Sequence, residues 1–230
     1  MYRQDDQLDL KLWSAFLFPG FRLLWVSGLS SSITMQIRIL GSGVWLYETT
    51  GSGIQLGLLG IVQLAVQMPA TLFGGAFADR IDRRKLIFLT QAFSFFLISL
   101  ATIMLVSGSL RPWHIYLMVG ILGLTTTMGG PSRSAITANV VPTSHLMHAV
   151  TSNTATFQIS SILTPLLFTI AYKFIGLYAV FLIAVVFSIP ASIIPLFIKI
   201  QFGMDSIPYK PQTSMARQLW EGFGFVRNHP

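Results

Sequence analysis

The chain contains no cysteine. Disulfides, thiolate-bound metals and cysteine nucleophiles are therefore excluded. Charge is scarce as well. Asp, Glu, Lys and Arg make up 10% of the 230 residues, against roughly 25% in an average soluble domain. So few charges leave apolar surface that needs a bilayer as its solvent. No G-x-x-x-x-G-K-[ST] phosphate loop occurs, so the chain carries no ATPase of its own. No segment alternates apolar and polar residues over the roughly ten positions of a membrane β-barrel strand. The histidines are His114, His145, His148 and His229. His145 and His148 share a helix face, but without a nearby carboxylate or thiolate they make a poor tetrahedral zinc site. No metal or other cofactor is expected.

Apolar sequence is what the chain has in abundance. Hydrophobic residues reach 53% and the mean hydropathy is +0.66. A spanning helix needs about 20 mostly apolar residues, and six segments qualify. The first runs from about Phe21 to Trp45 and the second from about Ile54 to Phe77. The third covers about Leu86 to Val106. The fourth begins near Trp113 and is expected to fade through Gly129, Gly130 and Pro131. The fifth runs from about Val150 to Tyr172, and the sixth from about Gly176 to Ile198. Short turn-rich links at residues 48–53 and 107–112 imply antiparallel neighbours. The fold class expected is therefore an all-α membrane protein, a six-helix bundle over residues 21–198.

The formal charge is +7, but the cations lie between apolar runs rather than on one soluble face. That points to membrane topology and away from nucleic acid. Arg3, Lys11, Arg22, Arg80, Arg83, Arg84, Lys85, Arg133, Lys199, Lys210, Arg217 and Arg227 fall on one side of the expected spans. Only Arg111 and Lys173 fall on the other, and Arg38 lies within the first span. Because cytoplasmic loops collect Lys and Arg, both termini are expected in the cytoplasm. An even number of spans requires the same. Residues 1–20 read as a cytoplasmic segment that retains Asp5, Asp6 and Asp9, unlike a cleaved signal peptide.

Residues 199–230 read as a cytoplasmic linker with an amphipathic helix. Pro208 and Pro211 mark the linker, and Met215, Leu219, Phe223 and Val226 form one apolar face. A linker followed by such a helix leads the chain onward, so more protein is expected after Pro230.

The most specific motif lies between the second and third spans, in Gly74-Gly75-Ala76-Phe77-Ala78-Asp79-Arg80-Ile81-Asp82-Arg83-Arg84-Lys85. Gly74 and Gly75 permit close helix approach. Asp79 stands where the second helix leaves the membrane and can pair with a cation or a helix N-terminus. Asp82 is placed to N-cap the third helix. Arg83, Arg84 and Lys85 suit anionic lipid headgroups better than their own helix dipole.

This segment resembles the signature loop of the major facilitator superfamily, roughly G-x-L-A-D-R-x-G-R-R/K. Gly75, Ala78, Asp79, Arg80, Arg83 and Arg84 match, whereas Asp82 replaces the family glycine. The same replacement occurs in the branch of enterobactin-exporter-like and macrolide-efflux-like proteins. Residues 44–52, residues 131–133 with 140–142, and residues 220–230 resemble further segments of that branch. The fifth span departs from it, with Ser161, Thr164, Pro165, Leu166 and Leu167 in place of an arginine and a Gly-Pro pattern.

The resemblance covers nearly the whole chain but only the N-terminal half of a twelve-helix family member. It implies a secondary active transporter, an exporter of small drug-like or siderophore-like molecules working by alternating access, and not an enzyme. It implies a multi-pass protein of the cell membrane whose partners are a small-molecule substrate, the lipid bilayer and a C-terminal six-helix half. Gly75, Asp79, Arg80, Arg83 and Arg84 would then latch one conformation against the other half. A non-transporting scaffold and the permease subunit of an ATP-driven transporter are the alternatives.

Polar residues inside the spans supply candidates for a substrate cavity. Ser27, Ser31, Thr34, Arg38 and Ser42 recur at helical spacing and form one stripe. Such a stripe faces a cavity or another helix, not lipid. Arg38 lies nine residues before Tyr47, roughly 13 Å below the outer end at the helical rise. It could hold an anionic substrate group, or pair structurally with carbonyls or a carboxylate. Gln63 and Gln67 share a face of the second span. Asn153, Thr156, Ser160 and Thr164 form a stripe on the fifth, with Gln158 off it. Gln36, Arg38, Gln63, Gln67, Asn153 and Gln158 are thus the expected cavity residues. All eight acids lie outside the spans or at their edges. A coupling proton would therefore fall to Asp79, Glu48 or a group beyond this chain.

Overall fold

The computed structural model describes residues 14–78 and 82–198, apart from the side chains of 72–78 and 128. Among the described residues six α-helices follow one another: α1 (Pro19–Thr50), α2 (Gly53–Ala78), α3 (Arg83–Val106), α4 (Pro112–Val140), α5 (Leu146–Phe174) and α6 (Leu177–Ile193). Short 3-10 turns at Ser14–Leu17, Thr143–His145 and Ile194–Phe197 precede α1, join α4 to α5 and finish α6. Among the described residues there is no strand.

Local chemistry sets the ends. Proline occupies the first turn of both α1 and α4, where its missing N–H costs nothing. Gly51 closes α1 at φ 62°, and its amide donates to the Tyr47 carbonyl at 2.8 Å. Only glycine takes that left-handed cap without strain. Asp82 caps α3, accepting from the amides of Arg84 at 2.9 Å and Lys85 at 3.2 Å. Gly176, at φ 106°, turns the chain from α5 into α6.

The fourth span corrects the sequence reading. The helix does not fade at Gly129, Gly130 and Pro131 but continues to Val140. Proline inside a helix frees one carbonyl, and away from water the neighbouring side chains and helices absorb that loss. Arg133, expected among the cytoplasmic loop cations, therefore sits within α4. Among the described residues, five helices are long and apolar enough to cross a membrane, and α4 is not among them. Its 29 residues suffice in length. Its composition is diluted by Thr125, Thr126, Thr127, Ser132, Arg133 and Ser134.

The packing is not sequential. α1 packs most extensively against α6 and α5, α4 against α3 and α2, and α3 against α6. Exchanging α1 with α4, α2 with α5 and α3 with α6 leaves this pattern unchanged. Two three-helix units thus meet with α1 and α4 inside, as in the nested repeats of transporter bundles. Buried apolar side chains form two clusters. One gathers Ile33, Ile37, Leu46, Ile98, Ile115, Leu122 and Val180. The other gathers Phe21, Leu24, Ile87, Ile136, Val140 and Val141 near the opposite helix ends. Outside, Ile54, Ile61, Leu64, Ile103, Ile162 and Val186 are exposed, an apolar coat suited to lipid.

Candidate functional site

Between the two apolar clusters lies a polar cavity of about 140 Å³. α1 contributes Ser31, Thr34, Met35 and Arg38 to its wall. α3 contributes Ile87, Thr90, Gln91, Ser94 and Ile98. α4 contributes Leu122, Thr125, Thr126, Gly129, Gly130 and Arg133. The long, unbroken α4 is what carries Arg133 to this wall.

Hydrogen bonds tie the cavity walls together. Gln91 Nε2 donates to Ser31 Oγ at 2.5 Å, joining α3 to α1. The Ser94 and Thr125 hydroxyls lie 3.4 Å apart, joining α3 to α4. Arg133 joins α4 to α1. Its Nη1 donates to the Leu24 carbonyl and its Nη2 to Ser27 Oγ, each at 3.4 Å. Arg38 is only 5% exposed and, among the described residues, makes no hydrogen bond or ion pair.

Arg133 also borders a second cavity of about 240 Å³ between α1, α4 and α5. Trp25, Gly28, Ser32, Thr137, Asn153 and Thr156 are among its walls. Trp25 Nε1 donates to Thr156 Oγ1 at 2.5 Å, and Asn153 Nδ2 to Thr137 Oγ1 at 3.4 Å. Thr137, Asn153 and Phe157 continue into a third pocket beside Val150 and Thr154. Ser31, Gly130 and Arg133 border both the first and the second cavity.

The expected cavity residues divide accordingly. Arg38 lines the first cavity and Asn153 the second and third. Gln36 is half-buried on α1 and outside these walls. Gln63 and Gln67 are half-buried on α2, where Gln67 Cγ stands 3.5 Å from the position a Gly123 Cβ would take. Gln158 is exposed on the outer surface of α5. Part of the α1 stripe serves packing instead. Ser27 donates to the Ala191 carbonyl at 3.1 Å and Thr34 to that of Ala184 at 3.4 Å, both on α6.

Of the loop motif, Asp79 and Arg80 lie outside the described residues, as does the expected helix at residues 215–226. Gly75 lies within α2 near its end. Arg83 opens α3 and is exposed. Arg84 has a role that sequence reasoning missed. Its Nη1 donates to the Ile198 carbonyl at 3.2 Å, at the end of the 3-10 turn that finishes α6. Its charge therefore meets the negative end of a neighbouring helix rather than the positive end of its own.

Gln91, Ser94, Thr125, Thr126 and Arg133 were also missed as cavity residues. The run of three threonines was a visible signal. Arg133 gave none, because reading it as a cavity residue required knowing that α4 runs through Pro131.

Comparison with known proteins adds an independent line. The Major Facilitator Superfamily model matches residues 24–230. A Streptococcus pyogenes protein named "Macrolide efflux protein A" is 26% identical over 212 residues, covering 91% of this chain and 51% of that protein. The Enterococcus faecalis protein of the same name is 26% identical over 176 residues, covering 76% of this chain and 53% of that protein. A Planococcus maritimus protein named "Na(+), Li(+), K(+)/H(+) antiporter" is 26% identical over 184 residues, covering 77% and 42%. The chain thus spans about half the length of the curated relatives it matches.

Proposed function

Because the chain belongs to the major facilitator superfamily, we propose that it is the N-terminal six-helix half of a secondary transporter that exports small amphipathic molecules. A second six-helix bundle supplies the opposite wall of the substrate path. Transport proceeds by rocking the two halves about a site near the bilayer midplane. Both termini lie in the cytoplasm, as the cation distribution suggests.

One observation carries the reading: a polar cavity holding the buried Arg38 lies between α1, α3 and α4, inside a bundle coated with apolar side chains. A scaffold needs no such interior, and intramembrane charge is costly enough to mark a substrate or ion path by default. The relatives named for efflux support an outward direction. Gly75, Asp79, Arg80, Arg83 and Arg84 form the conformational latch in this reading.

The test is accumulation of anionic and cationic dyes, and of a labelled macrolide chosen from the relatives' names, in cells producing the protein together with any sequence that follows Pro230. Lower accumulation that a protonophore reverses is the expected result. Accumulation equal to vector controls for the macrolide and for a panel of dyes would sink the exporter reading. Vesicles containing residues 1–230 alone should show no saturable uptake, because one bundle supplies one wall.

A further inference from the structure

The central cavity carries positive charge that nothing in its described walls balances. Arg38 is buried, lines the cavity and makes no hydrogen bond or ion pair among the described residues. Arg133 adds a second cation to the same cavity, and it donates to a neutral carbonyl and a neutral hydroxyl. The described carboxylates stand elsewhere. Glu48 accepts from the Tyr172 hydroxyl at the far end of α1, and Asp82 caps α3. Gln91 adds a neutral amide to the walls, and the hydroxyls of Thr90, Thr125 and Thr126 donate to carbonyls of their own helices, while Met35 and Leu122 supply apolar surface.

An isolated guanidinium away from water is costly unless an opposite charge satisfies it. The guanidinium fork matches the two oxygens of a carboxylate, sulfonate or phosphate group. We propose that Arg38 binds the anionic group of an amphipathic substrate in this cavity, with Met35 and Leu122 against its apolar part. Arg133 raises the local positive potential from the other wall while it holds α4 to α1. This rests on the transporter reading and narrows it to substrates that carry a negative group.

The test is thermal unfolding of the purified protein in a neutral detergent, with 1-naphthoate as the anionic probe and 1-naphthamide as its uncharged counterpart. Ligand binding to the folded state raises the melting temperature with concentration. Naphthoate should give a saturable rise and naphthamide none. Arg38→Gln should lose the naphthoate rise. Arg38→Lys keeps the charge without the fork, and should need a several-fold higher concentration for the same rise.

Equal shifts from both probes, no shift from naphthoate, or a shift that survives Arg38→Gln would each overturn the proposal. If Arg38→Gln does not fold, Arg38→Lys decides, and an unchanged concentration dependence there overturns it. Stabilisation by phosphatidylglycerol but not by naphthoate would make the anion a lipid headgroup and would also overturn it. None of these results touches the exporter reading, which the accumulation measurement tests separately.

Discussion

Gly28 of α1 faces the guanidinium of Arg133 on α4 so closely that a Cβ at Gly28 would stand 3.2 Å from Nη1. The missing side chain is what lets the arginine reach the Leu24 carbonyl and Ser27 hydroxyl. Alanine asks the flexible tip of Arg133 to move by a few tenths of an ångström, while its better helix propensity is worth up to about 1 kcal/mol. Gly28→Ala is expected to unfold within a few degrees of the parent. Gly28→Leu fills the space Arg133 occupies and should lower the melting temperature clearly. Equal melting for all three forms would show that the contact contributes nothing.

Gly41 presents a harder obstacle to the same substitution. A Cβ there would lie 3.1 Å from the Phe181 ring, which is 2% exposed and fully enclosed. A buried ring cannot swing aside, so Gly41→Ala should destabilise the α1–α6 packing by roughly 1–3 kcal/mol, the usual cost of overpacking. Phe181→Leu in the same chain should recover part of that loss. Denaturant titration of the single and double variants measures the coupling, and simple additivity would argue against the clash.

Asp82 and Arg84 test the helix ends beside the loop motif. Removing the cap with Asp82→Ala should cost about 1 kcal/mol, and Asp82→Asn much less, because asparagine also accepts from the α3 amides. Arg84→Gln removes the charge from the end of α6. At the surface such a charge contributes about 0.3–1 kcal/mol at low salt, and the effect shrinks as salt rises. A salt-independent loss for Arg84→Gln would assign its effect to packing alone.

Topology can be read by single-cysteine labelling, because the parent chain has no cysteine to remove. Ser109 is exposed in the turn between α3 and α4, and Ser144 is exposed between α4 and α5. In the proposed orientation Ser109 lies outside the cell and Ser144 inside. A membrane-impermeant maleimide applied to intact cells should label Ser109→Cys and spare Ser144→Cys. The reverse pattern would invert the orientation.

The sequence by itself determined the class of protein. Apolar runs of spanning length, scarce charge and short links leave little choice but a helical membrane bundle, because backbone polar groups in lipid must bond within their own helix. The Asp79 loop also points to the family from residue spacing alone. Local capping is readable too: residue type and position alone make Asp82 the α3 cap, and it accepts the amide bonds expected of it.

Only the tertiary structure decided which polar residues meet. Periodicity puts Ser27, Ser31, Thr34, Arg38 and Ser42 on one stripe, yet Ser27 bonds to α6 while Ser31 and Arg38 line the cavity. A stripe on a helix is wide enough to touch two neighbours, and sequence does not say which neighbour is where. The same limit hid Arg133. Its place depends on a helix passing through Pro131, and on α1 packing against α6 and α5 instead of mainly against α2. Those are properties of non-local contacts, which local propensity does not encode.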